Sequence, residues 1–139
     1  ALVAAEMNWS FPWGEPLSIE ARRMLDNYQA GPVSLTAPDL INAEFGNIVW
    51  KKRTFQGLDV ADAKAQIYGF RKLEIAFTPT ADLLGDAYEL AIVHRRTVYD
   101  SLYLALSIRE VCQFVTADER LVNAVSSVLP TVVWLANWP

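Results

Sequence analysis

The segment 97–120, TVYDSLYLALSIREVCQFVTADER, constrains the fold more than any other stretch of the chain. It has an acid at a helix start, an apolar helix, a short apolar run, and a second acid in a turn. Because a helix and a strand separate Asp100 from Asp118, both carboxylates are predicted to reach the same edge of a sheet. Like charges ~4 Å apart repel by ~4 kcal/mol at an effective dielectric of about 20. The two acids therefore need a cation or a proton.

The remaining pattern predicts an α/β fold with a mainly parallel sheet. Apolar runs typical of strands alternate with helical stripes from residue 33 to residue 135, which indicates βαβ units. Residues 1–7 are compatible with a short strand or a helix start, and 8–16 predict a loop with three aromatic rings. Further strands are predicted at 33–37, 74–77, 111–116 and 131–135, and helices at 18–28, 40–53, 59–73, 80–94 and 118–128, with another following Thr97.

Composition predicts one domain over residues 1–139, because no repeat, low-complexity tract or linker interrupts the chain. The hydrophobic fraction of 53% and mean hydropathy of +0.15 indicate a sheet covered on both faces. No run approaches the ~18 apolar residues of a membrane span, so no membrane partner is expected. Cys112 is the single cysteine, and no signal peptide pattern is visible, which favours a cytoplasmic protein.

The net charge of −4 argues against long-range attraction of nucleic acid by the bare protein. Bound metal would change this balance by neutralising carboxylates. The short basic runs KKR (51–53), RK (71–72) and RR (95–96) change it locally, although their ordinary interpretation is solvated helix ends.

Glu44 is the most unusual acid, because helical spacing puts it on the same stripe as Ile41 and Ile48. An ionised carboxylate in apolar surroundings costs several kcal/mol unless it is paired. Glu44 therefore needs a partner, a proton or a metal. Asn47, one turn later, could bond it or share its ligand. The ordinary alternative is a surface Glu paired with a Lys or Arg.

Asp100 and Asp118 each have a structural interpretation as well. Thr97 and Asp100 have capping-box spacing, and Asp118 in TADERL is a typical helix N-cap. Tyr99 and Tyr103 flank Asp100 and could brace it. Taken with Glu44, the acids predict a site for Mg²⁺ or Mn²⁺, which prefer oxygen ligands, whereas one His and one Cys are too few for zinc.

Three blocks of the chain, with EPLS (15–18) before the first long helix, resemble PIN domains, especially the VapC toxins of toxin–antitoxin pairs. The blocks are APDLINAEFGNIVWKK (37–52), HRRTVYDSLYLALS (94–107) and FVTADERL (114–121). The resemblance implies a three-layer α/β/α sandwich and an endoribonuclease that uses Mg²⁺ or Mn²⁺ at a carboxylate site. It also implies an RNA substrate, a cognate antitoxin and a homodimer. Glu44, Asp100 and Asp118 match the family's metal-site acids, with Asn47, Ser101 and Thr116 as supporting polar residues.

The chain departs from the family pattern at its first strand, which in PIN domains ends in Asp, usually as Asp-x-Ser. No Asp precedes Asp26. A gap-free alignment puts Ala4 at the Asp position and Glu6 at the Ser position, so that Glu6 is a candidate substitute. Alternatively, the strand with the Asp lies upstream of Ala1.

Three functions follow as hypotheses. The first is an RNA-cleaving toxin, and the second is a weakened or inactive PIN-like binding module without the first-strand Asp. The third, a receiver-type phosphoacceptor domain, ranks low because FVTADERL lacks the Lys expected after the last long strand.

Overall fold

The computed structural model describes residues 2–6 and 18–138. Along these residues five short strands alternate with six helices. In chain order they are β1 (Leu2–Glu6), α1 (Ser18–Ala30), β2 (Ser34–Pro38), α2 (Leu40–Phe55), α3 (Val60–Lys72), β3 (Ala76–Thr78), α4 (Thr80–His94), α5 (Val98–Arg109), β4 (Gln113–Thr116), α6 (Glu119–Val125) and β5 (Val132–Trp134), followed by a 3-10 turn at Leu135–Asn137.

All strand pairs are parallel, and the strand order is β3-β2-β1-β4-β5. The predicted α/β class with parallel pairing is therefore confirmed. Residues 2–6 form a strand rather than a helix start, and this strand lies in the middle of the order. Ala4 is in register with Thr36 of β2 and Phe114 of β4, and Glu6 with Thr116. The aromatic loop predicted at 8–16 lies outside the described residues.

Local signals explain where several elements begin and end. The side chain of Thr97 accepts a hydrogen bond from the backbone N–H of Asp100 at 3.1 Å, as the predicted cap of α5 requires. Gly57 follows the C-cap of α2 and has a φ of 72°, a left-handed conformation that favours glycine after a helix. The strand predicted to start at residue 111 begins instead at Gln113, because Val111 has a φ of 51° and cannot belong to extended backbone.

Helix α5 lies at the centre of the core. Its residues from Ser101 to Ser107 are all buried, and it contacts β1, β2 and β4 on one side and α4 on another. Phe114 and Val115 of β4 are fully buried, and the Phe114 ring stacks on Tyr103 at a centroid distance of 5.5 Å. The apolar sequence of α5 thus reflects burial on most of its surface, and this packing holds Asp100 at the start of a fixed helix.

The strand order changes direction between β1 and β4. From β1 the chain moves to β2 and β3 on one side, and later to β4 and β5 on the other. In parallel α/β sheets, ligands bind outside the carboxyl ends of the strands at such a switch point. The residues at these two ends are Glu6 and Thr116, with Asp118 just beyond β4.

None of the described helices is long and apolar enough to cross a membrane.

Candidate functional site

Glu44 lies on α2 between the buried side chains of Ile41 and Phe45 and is itself partly buried. Its Oε1 accepts a hydrogen bond from the Tyr103 hydroxyl at 2.7 Å, which joins α2 to α5. Burial raises the pKa of Glu44 above the ordinary value, the Tyr103 bond opposes this rise, and the negative charge of Asp100 adds to it. The prediction that Glu44 needs a partner is met by a tyrosine.

Asp100 lies in the first turn of α5, where its carboxylate faces Arg96. Arg96 Nη2 donates to Asp100 Oδ2 at 3.1 Å, and this pair is mostly shielded from solvent. The backbone N–H of Asp100 donates to the Thr97 hydroxyl, whereas its side chain forms the ion pair with Arg96. Tyr99, one of the two tyrosines expected to brace Asp100, is exposed.

Asp118 combines a structural and an electrostatic contact. Its Oδ1 accepts from the backbone N–H of Leu121 at 3.2 Å, as expected of the N-cap of α6. Its Oδ2 lies 3.8 Å from Arg96 Nη2. The hydroxyl of buried Thr116 accepts from the Asp118 backbone N–H at 3.1 Å and fixes the turn after β4. The capping interpretation and the site interpretation of Asp118 are therefore compatible.

Arg96 is the site residue that sequence reasoning missed. One of its nitrogens, Nη2, faces carboxylate oxygens of both Asp100 and Asp118. The cation that the two acids were expected to need is therefore present as a guanidinium. The available signal was the four-residue spacing from Arg96 to Asp100 across the start of α5, which suits an ion pair on one helical face.

The three predicted acids lie in one region, linked from Glu44 to Asp100 by their electrostatic interaction and from Asp100 to Asp118 through Arg96. An all-carboxylate donor set has the chemistry that Mg²⁺ and Mn²⁺ prefer. In the part of the chain that the structure describes, no three His, Cys, Asp or Glu side chains are grouped so that they could hold a metal ion. The donors thus fit such an ion by chemistry, while Arg96 lies between two of them.

The supporting residues differ in their surroundings. Asn47 is exposed on α2, and the fully buried Ser101 hydroxyl has no hydrogen-bond partner among the described residues. Glu6 lies at the carboxyl end of β1, in register with Thr116. Lys52 is 8% exposed, so the expectation of a solvated basic run is wrong for this residue.

Neither the models of known protein families nor the curated proteins match this chain.

Proposed function

We propose that this chain is a PIN-like metal-dependent endoribonuclease, the toxin of a toxin–antitoxin pair. The observation that carries the proposal is that Glu44, Asp100 and Asp118, from three separate helix starts or faces, lie in one region and are linked in pairs, although they do not form a grouped set of metal ligands among the described residues. Buried or half-buried acids of this kind cost stability, and such groups are common at functional sites. The position beside the β1/β4 switch point is where α/β folds bind ligands.

The proposed architecture is a three-layer α/β/α sandwich. Crossovers between parallel strands are right-handed in nearly all proteins. The connections from β1 to β2 and β3 run toward one edge of the strand order, whereas those to β4 and β5 run toward the other. Right-handed crossovers in opposite directions would put α1 to α3 on one face and the helices that precede β4 and β5 on the opposite face, which supports the proposed sandwich.

The proposed cofactor is Mg²⁺ or Mn²⁺, held by Glu44, Asp100 and Asp118. When bound, such an ion supplies Lewis acidity to a water and to the phosphodiester. Tyr103 orients the Glu44 carboxylate, and the α6 cap orients Asp118. Because burial raises the pKa of Glu44, this carboxyl keeps a proton to higher pH than an exposed Glu, and it would hold a metal ion in its ionised form.

The proposed partners are an RNA substrate, a cognate antitoxin and a second copy of the chain, in the cytoplasm. Exposed Arg95 and Lys51 offer positive charge for flanking phosphates of RNA. On α4, the side chains of Leu84, Tyr88 and Ile92 are exposed at four-residue intervals and form an apolar stripe. A stripe of this kind suits a protein partner better than solvent.

The decisive experiment measures cleavage of RNA by purified protein with Mn²⁺. Asp100→Asn should lower the rate by about two orders of magnitude or more, and a chelator should abolish cleavage by the wild type. Asp82→Asn is the matched control, because Asp82 lies in the first turn of α4 and is exposed. It should retain wild-type activity. Equal cleavage by the two variants, or cleavage insensitive to chelator, would refute the assignment.

A second candidate is a PIN-like binding module with weak or no activity. It is favoured by Ala4, which lies in the middle strand where the resemblance expects Asp, and by Arg96, which already neutralises two of the acids. A calorimetric titration without Mg²⁺ or Mn²⁺ binding would select this candidate over the enzyme.

A further inference from the structure

The contacts of Arg96 are unusual because one of its nitrogens lies near two carboxylates that belong to different helices. Nη2 lies 3.1 Å from Asp100 Oδ2 at the start of α5 and 3.8 Å from Asp118 Oδ2 at the start of α6. The arginine side chain is 23% exposed, so solvent screens these contacts only in part. Arg96 thus joins the two halves of the segment that begins at Thr97.

The backbone of Arg96 is anchored while its side chain is not fully satisfied. Its N–H donates to the carbonyl of Ala91 at 3.2 Å, and the preceding Arg95 adopts a left-handed φ of 54° that ends α4. Its Nε atom, however, is buried without a hydrogen-bond partner among the described residues. A movement of this side chain therefore breaks the two carboxylate contacts without disturbing the helix end.

A guanidinium and a divalent cation cannot both contact the same carboxylate oxygens without strong repulsion. A metal ion that binds Oδ2 of both Asp100 and Asp118 takes the oxygens that Arg96 contacts, and so must displace Arg96 from at least one of them. The free energy of metal binding is then less favourable by the free energy of the arginine contacts that are lost.

We propose that Arg96 is a built-in competitor of the divalent cation, holding Asp100 and Asp118 together without metal and leaving them when metal binds. The inference rests on the proposed function, because it requires these carboxylates to be metal ligands. It adds a positioning residue with a regulatory consequence: the site is loaded only when the free cation concentration is high enough to displace the arginine.

The test compares Mn²⁺ binding by calorimetry and thermal stability in three proteins, namely the wild type, Arg96→Gln and the matched control Arg95→Gln. Arg96→Gln should bind Mn²⁺ about tenfold more tightly than the wild type. Without metal it should melt at a lower temperature than the control, and Mn²⁺ should raise its Tm by more. Arg95→Gln should have the affinity of the wild type, since Arg95 is exposed and has neither of these contacts.

A measurement on the wild type covers the case in which Arg96→Gln does not fold. The Arg96 Nε–Hε signal in nitrogen-15 NMR spectra should shift as Mg²⁺ is added, in proportion to site occupancy. An unchanged signal at saturating Mg²⁺ would overturn the proposed competition. So would a Mn²⁺ affinity of Arg96→Gln equal to or weaker than that of the wild type. Either result would leave the proposed metal site itself in place. Absence of Mn²⁺ binding in all three proteins would overturn both proposals.

Discussion

The negative charge of Glu44 and that of Asp100 and Asp118 are stabilised in different ways. Glu44 is held by a neutral donor, the Tyr103 hydroxyl, and burial raises its pKa. Asp100 and Asp118 share a cation, Arg96, whose nitrogen lies within 4 Å of both carboxylates. Glu44 therefore holds its proton to higher pH than an exposed glutamate, whereas Asp100 and Asp118 form ion pairs.

This difference shows why a buried acid cannot be interpreted from its burial alone. A neutral hydroxyl stabilises a carboxylate but does not cancel its charge, so desolvation still favours the protonated form. A guanidinium supplies the opposite charge and does not require protonation of the acid. The tyrosine-held carboxyl should therefore be sensitive to pH, whereas the arginine-held pair should be sensitive to competing cations.

The largest expected effect is at the tyrosine. Tyr103→Phe keeps the ring that stacks on Phe114 but removes the bond to Glu44. Because a hydrogen bond to a charged group contributes about 1.5–3 kcal/mol, the free energy of unfolding at neutral pH should fall by about that much. Urea denaturation measures it. Tyr99→Phe, at an exposed tyrosine, is the control and should have no effect. A loss of unfolding free energy no greater than that of Tyr99→Phe would show that the Tyr103 hydroxyl does not stabilise Glu44.

An intermediate effect separates the two contacts of Asp118. Asp118→Ala removes both the cap of α6 and the partly exposed ion pair with Arg96, and should cost about 1 kcal/mol, which is typical of a lost N-cap. Asp118→Asn keeps an equally good capping oxygen and should change stability by less than about 0.5 kcal/mol, since exposed ion pairs contribute little. Thermal unfolding of both variants would show this. Equal losses would mean that the Arg96 contact, rather than the cap, dominates.

The smallest effect is a pH dependence at Glu44. The folded protein binds the carboxyl proton of Glu44 more tightly than the unfolded chain does. The stabilisation that this proton gives is therefore fully present below the ordinary glutamate pKa of 4.5. It is lost as pH rises through the raised pKa of Glu44. Glu44→Gln, which cannot ionise, should be more stable than the wild type at pH 7, by on the order of 0.5 kcal/mol.

Urea midpoints measured from pH 4 to pH 8 test this expectation. The difference between the wild type and Glu44→Gln should grow as pH rises above 4.5. A difference that is constant over this range would show that burial does not control the ionisation of Glu44.

Local signals made part of this structure predictable. Thr97 and Asp118 were recognised as helix caps because capping depends on neighbours three residues away, and both caps are present. The alternation of helices and strands follows from hydrophobic periodicity in the same way. The strand start at Gln113 was missed, because a left-handed backbone at a β-branched residue such as Val111 has no sequence signature.

The sequence predicted that the acids of the site need compensating groups, but not which residues supply them. The spacing around Glu44 shows that it needs compensation, yet Tyr103 is far away in the sequence and was expected to brace Asp100 instead. Arg96 was interpreted as part of a solvated, basic helix end. Its bridge to Asp118 depends on how α5 and β4 pack, which is a property of the tertiary structure.

The middle position of β1 also has a consequence for how the chain folds during synthesis. Val3 pairs with Leu35 and with Gln113, so β1 waits for one of its neighbours until a residue far later in the chain has been synthesised. At typical translation rates this wait lasts on the order of seconds to tens of seconds. During that time one edge of β1 can pair with other chains, which makes protection of the nascent chain part of the route to this fold.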